Sequence, residues 1–84
     1  MPRVTLYGRF QDLAGWRERS IPASTLSELE AAIAAEAPAL VEAIGHPTTQ
    51  VIVNAELRPR RLLSNVFDLV ETDEVAFGPP VSGG

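Results

Sequence analysis

Asp73-Glu-Val-Ala-Phe-Gly-Pro-Pro-Val-Ser-Gly-Gly84 decides the fold, because a strand pattern passes into a proline pair with nothing between them. Val75 and Phe77 alternate with Ala76 and Gly78, the period of two expected of a strand. Pro79 and Pro80 fix φ and donate no N–H, so the strand cannot continue past Gly78 and a polyproline-like arm is expected. Gly83 and Gly84 carry no Cβ, which suits a segment that enters a narrow channel and ends in a bare carboxylate. The expected division is a folded body over residues 1–78 and an extended tail over 79–84.

Upstream, Val4, Leu6 and Gly8 alternate with Thr5, Tyr7 and Arg9, and Phe10 continues the inner face of a first strand. Residues 11–15 read as a loose loop, and Trp16 to Ile21 as a second strand closed by Pro22, giving an antiparallel hairpin. Thr25 and Glu28 form a capping-box pattern ahead of Leu26, Leu29, Ile33 and Ala37, which share one helical face. Glu28 and Glu30 suit the positive end of that helix. Pro38 stops it, and Leu40, Val41 and Ile44 suggest one more turn ended by a left-handed Gly45. His46 falls in the loop that follows.

Val51, Ile52 and Val53 within residues 50–54 read as an inner strand buried on both faces. Residues 57–63 hold Pro59 and three arginines, Arg58, Arg60 and Arg61, so a short edge strand and a solvated turn are expected. The order β-β-α-β-β-β is α+β, a mixed sheet of four to five strands covered by one main helix. The helix supplies the long crossover that lets the first and last strands pair in parallel. That arrangement is a β-grasp.

At 84 residues and net charge −4, the chain suits one small domain without a dense basic face, which argues against nucleic acid as a direct partner. It has no cysteine and no lysine. Disulfides, thiolate metal sites and a cysteine nucleophile are excluded, and no side-chain amine is available to receive a second copy of the chain. No apolar run approaches membrane-spanning length, and a cytoplasmic protein without a membrane partner is expected. No phosphate loop, metal cluster or catalytic triad emerges. Asp12, Glu18, Asp68, Glu71, Asp73 and Glu74 read as solvated acids.

Four stretches carry a resemblance: VTLYGRFQDLAG from Val4, TLSELEAAI from Thr25, VIVNAEL from Val51 and DEVAFGPPVSGG from Asp73. With them the chain resembles the MoaD/ThiS-type sulfur carriers, small ubiquitin-like proteins, and most closely the small subunit of molybdopterin synthase. Thr72 stands where that family usually has Gly, and Gly78 where a large apolar residue usually precedes the prolines. The resemblance implies that Gly84 is the working residue, first adenylated and then converted to a thiocarboxylate. It implies no metal or cofactor on this chain, with ATP and Mg²⁺ used by a ubiquitin-activating-type (MoeB-like) enzyme and sulfur drawn from a persulfide. It further implies a large (MoaE-like) synthase subunit as partner in a heterotetramer, with Phe77, Pro79, Pro80, Val81, Ser82 and Gly83 in contact with partners. The isolated chain is expected to catalyse nothing. Alternatives within reach of the same ending are sulfur delivery to thiamin, cysteine or tRNA thiolation, and a protein modifier conjugated to lysines.

Overall fold

The structure, a computed structural model, describes residues 1–64 and 66–80. Five strands form one mixed sheet in the order β2-β1-β5-β3-β4, with β1 at Arg3–Leu6, β2 at Glu18–Ser20, β3 at Gln50–Val53, β4 at Glu56–Pro59 and β5 at Glu74–Gly78. β5 lies in the centre, parallel to β1 in the register Arg3↔Glu74 to Leu6↔Phe77 and antiparallel to β3. The parallel neighbours expected from the crossover are present, and the fold is a β-grasp. The main helix, α2 at Leu26–Glu36, sets Leu26, Leu29 and Ile33 against Val4, Leu6, Val51, Val53, Val75 and Phe77 in a single buried cluster.

Thr25 caps α2 as its pattern predicts: its hydroxyl accepts from the Glu28 N–H at 3.2 Å. Glu28 answers one residue further back, accepting from the N–H and hydroxyl of Ser24 at 2.8 and 2.9 Å. Those bonds hold its carboxyl below the usual range, the Ser24 backbone contributing most. Ala37 ends the helix and Pro38–Leu40 forms a 3-10 turn, so Pro38 acts as the stop. Gly45 is not among the residues with positive φ, and the left-handed cap expected there is absent. The Leu40–Ile44 turn closes instead through the Ile44 N–H to Leu40 carbonyl bond at 2.8 Å.

Three expectations for the strands give way. β1 ends at Leu6, and Arg9–Ala14 is a short helix, α1; Phe10 is buried from α1 rather than from a strand. β3 is not buried on both faces, because Val51 and Val53 face the core while Gln50 and Ile52 are half-exposed on the far side. The third concerns the arginine turn. Arg60 is buried, and its guanidinium grips Glu30 of α2 through two bonds of 2.6 and 3.0 Å while donating to the Leu63 carbonyl at 3.0 Å. This ion pair ties the helix to the segment after β4. Glu30 therefore acts as a tertiary clamp rather than only as a partner of the helix dipole.

Asn54 and Ala55 turn the β3–β4 hairpin with φ of 50° and 70°, the paired left-handed geometry of a tight two-residue hairpin. Asn54 then reaches β5, donating to the Asp73 carboxylate at 2.9 Å and accepting from the Glu74 N–H at 2.9 Å. Asp73 also accepts from the Val70 N–H at 2.8 Å. It is not merely a solvated acid: the Asn54 amide first, and the Val70 N–H second, hold its carboxyl below its ordinary value of 3.8. Thr72 sits in this turn without positive φ, so the geometry does not require glycine there.

Two outcomes follow from these anchors. Truncating one partner of the clamp, by Glu30→Ala or Arg60→Ala, strands a buried charge and is expected to cost about 3–5 kcal/mol in denaturant unfolding. A Glu30→Met, Arg60→Met pair should lose far less than the sum of the single changes. Asp73 has a depressed folded-state pKa, so its stabilisation is fully present above the unfolded value and disappears as pH falls through the folded one. The stability gap between wild type and Asp73→Asn should accordingly be open at neutral pH and close below about pH 4 in urea titrations.

Candidate functional site

The site is the foot of the arm, where β5 hands over to Pro79. β5 is held on both sides there: Gly78 pairs with Gln50 of β3, and the Tyr7 N–H donates to the Phe77 carbonyl at 2.9 Å. The alternation along β5 sends Val75 and Phe77 to the helix side and Ala76 and Gly78 to the open face. Phe77 is 0% exposed, which corrects its expected place in a docking surface. Its side chain belongs to the core, and what it does for the arm is anchor the strand that carries it.

On the open face a Cβ at Gly78 would lie 3.5 Å from the Tyr7 Cβ, an ordinary contact. A larger residue is thus not excluded by crowding at that point. With glycine present, Tyr7, Gln50, Ile52, Gly78 and Pro79 line a shallow notch. Tyr7 is 44% and Leu57 58% exposed, so the open face carries apolar surface although residue 78 is glycine.

Pro79 does not stand clear of the body. It leans over Gly8, whose backbone has φ 58° and ψ −138°, a conformation open almost only to glycine. A Cβ at Gly8 would come within 3.2 and 3.3 Å of the Pro79 Cγ and Cδ. Gly8 thus ends β1, opens α1 and provides the floor for the first proline. Alternation alone predicts a strand position for Gly8; the signal against it is a glycine interrupting an alternating run, which marks a bend or a close backbone approach.

Pro80 is exposed and marks the meeting of two clefts. Arg9, Phe10, Glu42, Ala43, His46 and Thr48 line one; Pro47, Gln50, Leu57 and Arg61 line the other. His46 is a loop residue, as expected, yet the fold brings it beside the arm. Its Nδ1 lies 3.1 Å from the Thr48 N–H, which donates to it, and 2.7 Å from the Thr48 hydroxyl. Among the described residues no group of three or more His, Asp or Glu side chains is placed to hold a metal ion. None of their helices is long and apolar enough to cross a membrane. Val81, Ser82, Gly83 and Gly84 lie outside the described residues.

Solved structures share this architecture. The small archaeal modifier protein 1 of Methanosarcina acetivorans superposes with a TM-score of 0.83 at 22% identity, over 99% of this chain and 95% of that one. A putative molybdopterin converting factor, subunit 1, from Pyrococcus furiosus gives 0.78 at 22% identity, over 95% and 97%. The Amycolatopsis orientalis BexX/CysO complex gives 0.74 at 19% identity, over the whole of both chains. At such identities these likenesses establish the fold. No curated protein sequence matches the chain. A family model does, from residue 4 through residue 84 and so across the arm. The chain belongs to the ThiS family, a family of ubiquitin-like sulfur carriers.

Proposed function

We propose that this protein carries sulfur as a thiocarboxylate on Gly84 and delivers it in molybdopterin synthesis as the small subunit of the synthase. The observation that carries the reading is the continuity of β5, the central and doubly paired strand, with the Pro79-Pro80 arm. A carboxylate is a poor acyl donor because oxide is a poor leaving group, and adenylation supplies a better one. One carboxylate oxygen attacks the α-phosphorus of ATP and expels pyrophosphate. A persulfide sulfur attacks the acyl carbon and expels AMP; a thiol then cleaves the S–S bond, leaving the thiocarboxylate and a disulfide.

The ATP, the Mg²⁺ and the groups that stabilise phosphoryl charge belong to an adenylating partner of the ubiquitin-activating type. The large synthase subunit receives the loaded arm in a heterotetramer. This chain's own part is presentation. Phe77 fixes the strand, Gly8 seats Pro79, and two prolines limit the freedom lost when the arm enters a channel. Val81, Ser82 and Gly83 are the residues assigned to further partner contacts, and Gly83, without a side chain, leaves the acyl carbon unhindered. Such work fits a cytoplasmic protein.

A second acceptor is a competing reading, favoured by the match over full length to CysO, a protein solved in complex with BexX. The co-purifying partner separates the two: a large synthase subunit supports molybdopterin, whereas a synthase for another sulfur product supports the alternative. Conjugation to lysines is the further possibility raised by the likeness to an archaeal modifier, and diglycine remnants on target lysines would reveal it.

Incubation with ATP, a persulfide donor and the adenylating enzyme should change the intact mass by one oxygen exchanged for sulfur. Adding one residue after Gly84 should abolish that change, and an unaffected extended chain would overturn the reading. The seat of the arm gives a second expectation. Gly8→Ala should cost about 1–3 kcal/mol in stability and also slow ATP–pyrophosphate exchange, because the new methyl displaces Pro79. Gly15 has φ 81° with nothing within 4 Å of a Cβ, so Gly15→Ala should destabilise while leaving exchange unchanged.

A further inference from the structure

The positive charges of this chain are unequally used. With no lysine, its fixed side-chain cations are seven arginines. Arg3, Arg19, Arg58 and Arg60 pair with Glu74, Glu36, Glu56 and Glu30. Among the described residues Arg9, Arg17 and Arg61 have no ion pair. Arg17 lies on the open sheet face near Glu18 and Glu74. The other two stand in the separate clefts that meet at Pro80. Both are exposed, and the titratable groups beside Arg9 are Glu42 and His46. A protein of net charge −4 thus keeps two exposed guanidinium groups at the root of its arm that form no ion pair among the described residues.

We propose that Arg9 and Arg61 form a cationic collar that docks on carboxylates around the mouth of the adenylating partner's arm channel. The proposal rests on the reading of Gly84 as the activated residue. Length decides against the nucleotide as the collar's target. Four residues separate Pro80 from the end of the chain, a contour of at most about 14 Å. With the arm drawn out in a narrow channel, the collar sits that far behind the acyl carbon and beyond the reach of a phosphate bonded to it. What it meets is the rim. Charges at a rim act mainly on the encounter rate and on salt sensitivity, while leaving the chemical step alone.

The test is ATP–pyrophosphate exchange by the ubiquitin-activating-type enzyme of the same organism, followed against carrier concentration at low and high ionic strength. The Arg9→Glu, Arg61→Glu pair should raise the KM for the carrier about tenfold at low salt with kcat unchanged, and the difference should close near 1 M salt. Arg9→Gln, Arg61→Gln should fall between, and Arg17→Glu should shift KM less than about twofold. An unchanged KM, a difference that persists in high salt, or a rise in the KM for ATP in place of the carrier overturns the collar. Wild-type exchange combined with an indifferent charge-reversed variant removes the collar alone. Absence of wild-type exchange removes the reading of Gly84 and the collar with it.

Discussion

The parallel pairing of β1 with β5 is the constraint on which the rest depends. A parallel neighbour demands a long crossover, and everything between Leu6 and Glu74 serves as that crossover, with α2 covering the sheet on the way. The last strand is thereby inserted between the first and the third instead of being added at an edge. A terminal segment is ordinarily the first to fray. Here the strand leading to it is bonded along both sides and carries Val75 and Phe77 into the centre of the core. Loosening the arm's base would require opening the middle of the sheet.

The same pairing explains why the two ends of the sheet differ chemically. At the Glu74 end, Asn54 and Asp73 lock the β3–β4 turn to the start of β5 by hydrogen bonds. At the Gly78 end the strand is released over a glycine, between clefts that hold Arg9, His46 and Arg61. Side-chain hydrogen bonds gather where the strand enters, and accessible charged groups where it leaves.

Much of this was legible in the residues. Thr25 and Glu28 announced the helix start, Pro38 its end, and Pro59 with its arginines an edge strand, because each is a local signal with a local cause. What escaped depends on distance or on competition between local rules. The Glu30–Arg60 clamp joins residues thirty apart in sequence, and no spacing rule connects a helix acid to one arginine among three. Helix α1 was hidden because Tyr7 to Phe10 continue the alternation of β1, while Gly8 breaks it through a backbone angle that pattern cannot display. Ile52 is as β-branched as its neighbours, yet only one side of β3 is covered by α2, and the composition of a strand does not say how many layers its sheet has. Around the arm, the prolines pointed to the site. The arrival of Arg9, His46 and Arg61 from three separate segments required the folded chain.

Parallel strands also put the head and the tail of the ladder at opposite poles. Arg3 pairs with Glu74 and Leu6 with Phe77, so Met1 emerges beyond one end of the ladder and Pro79 departs beyond the other, with a four-residue strand of about 13 Å between them. The backbone carbonyl of Pro2 is pinned by the Ile21 N–H at 3.0 Å, which keeps the amino terminus on that side. A tether attached ahead of Met1 would therefore hold the molecule by the pole farthest from the arm. In a larger assembly, a body fused there would sit across the sheet from Pro79 and leave the clefts beside Pro80 uncovered.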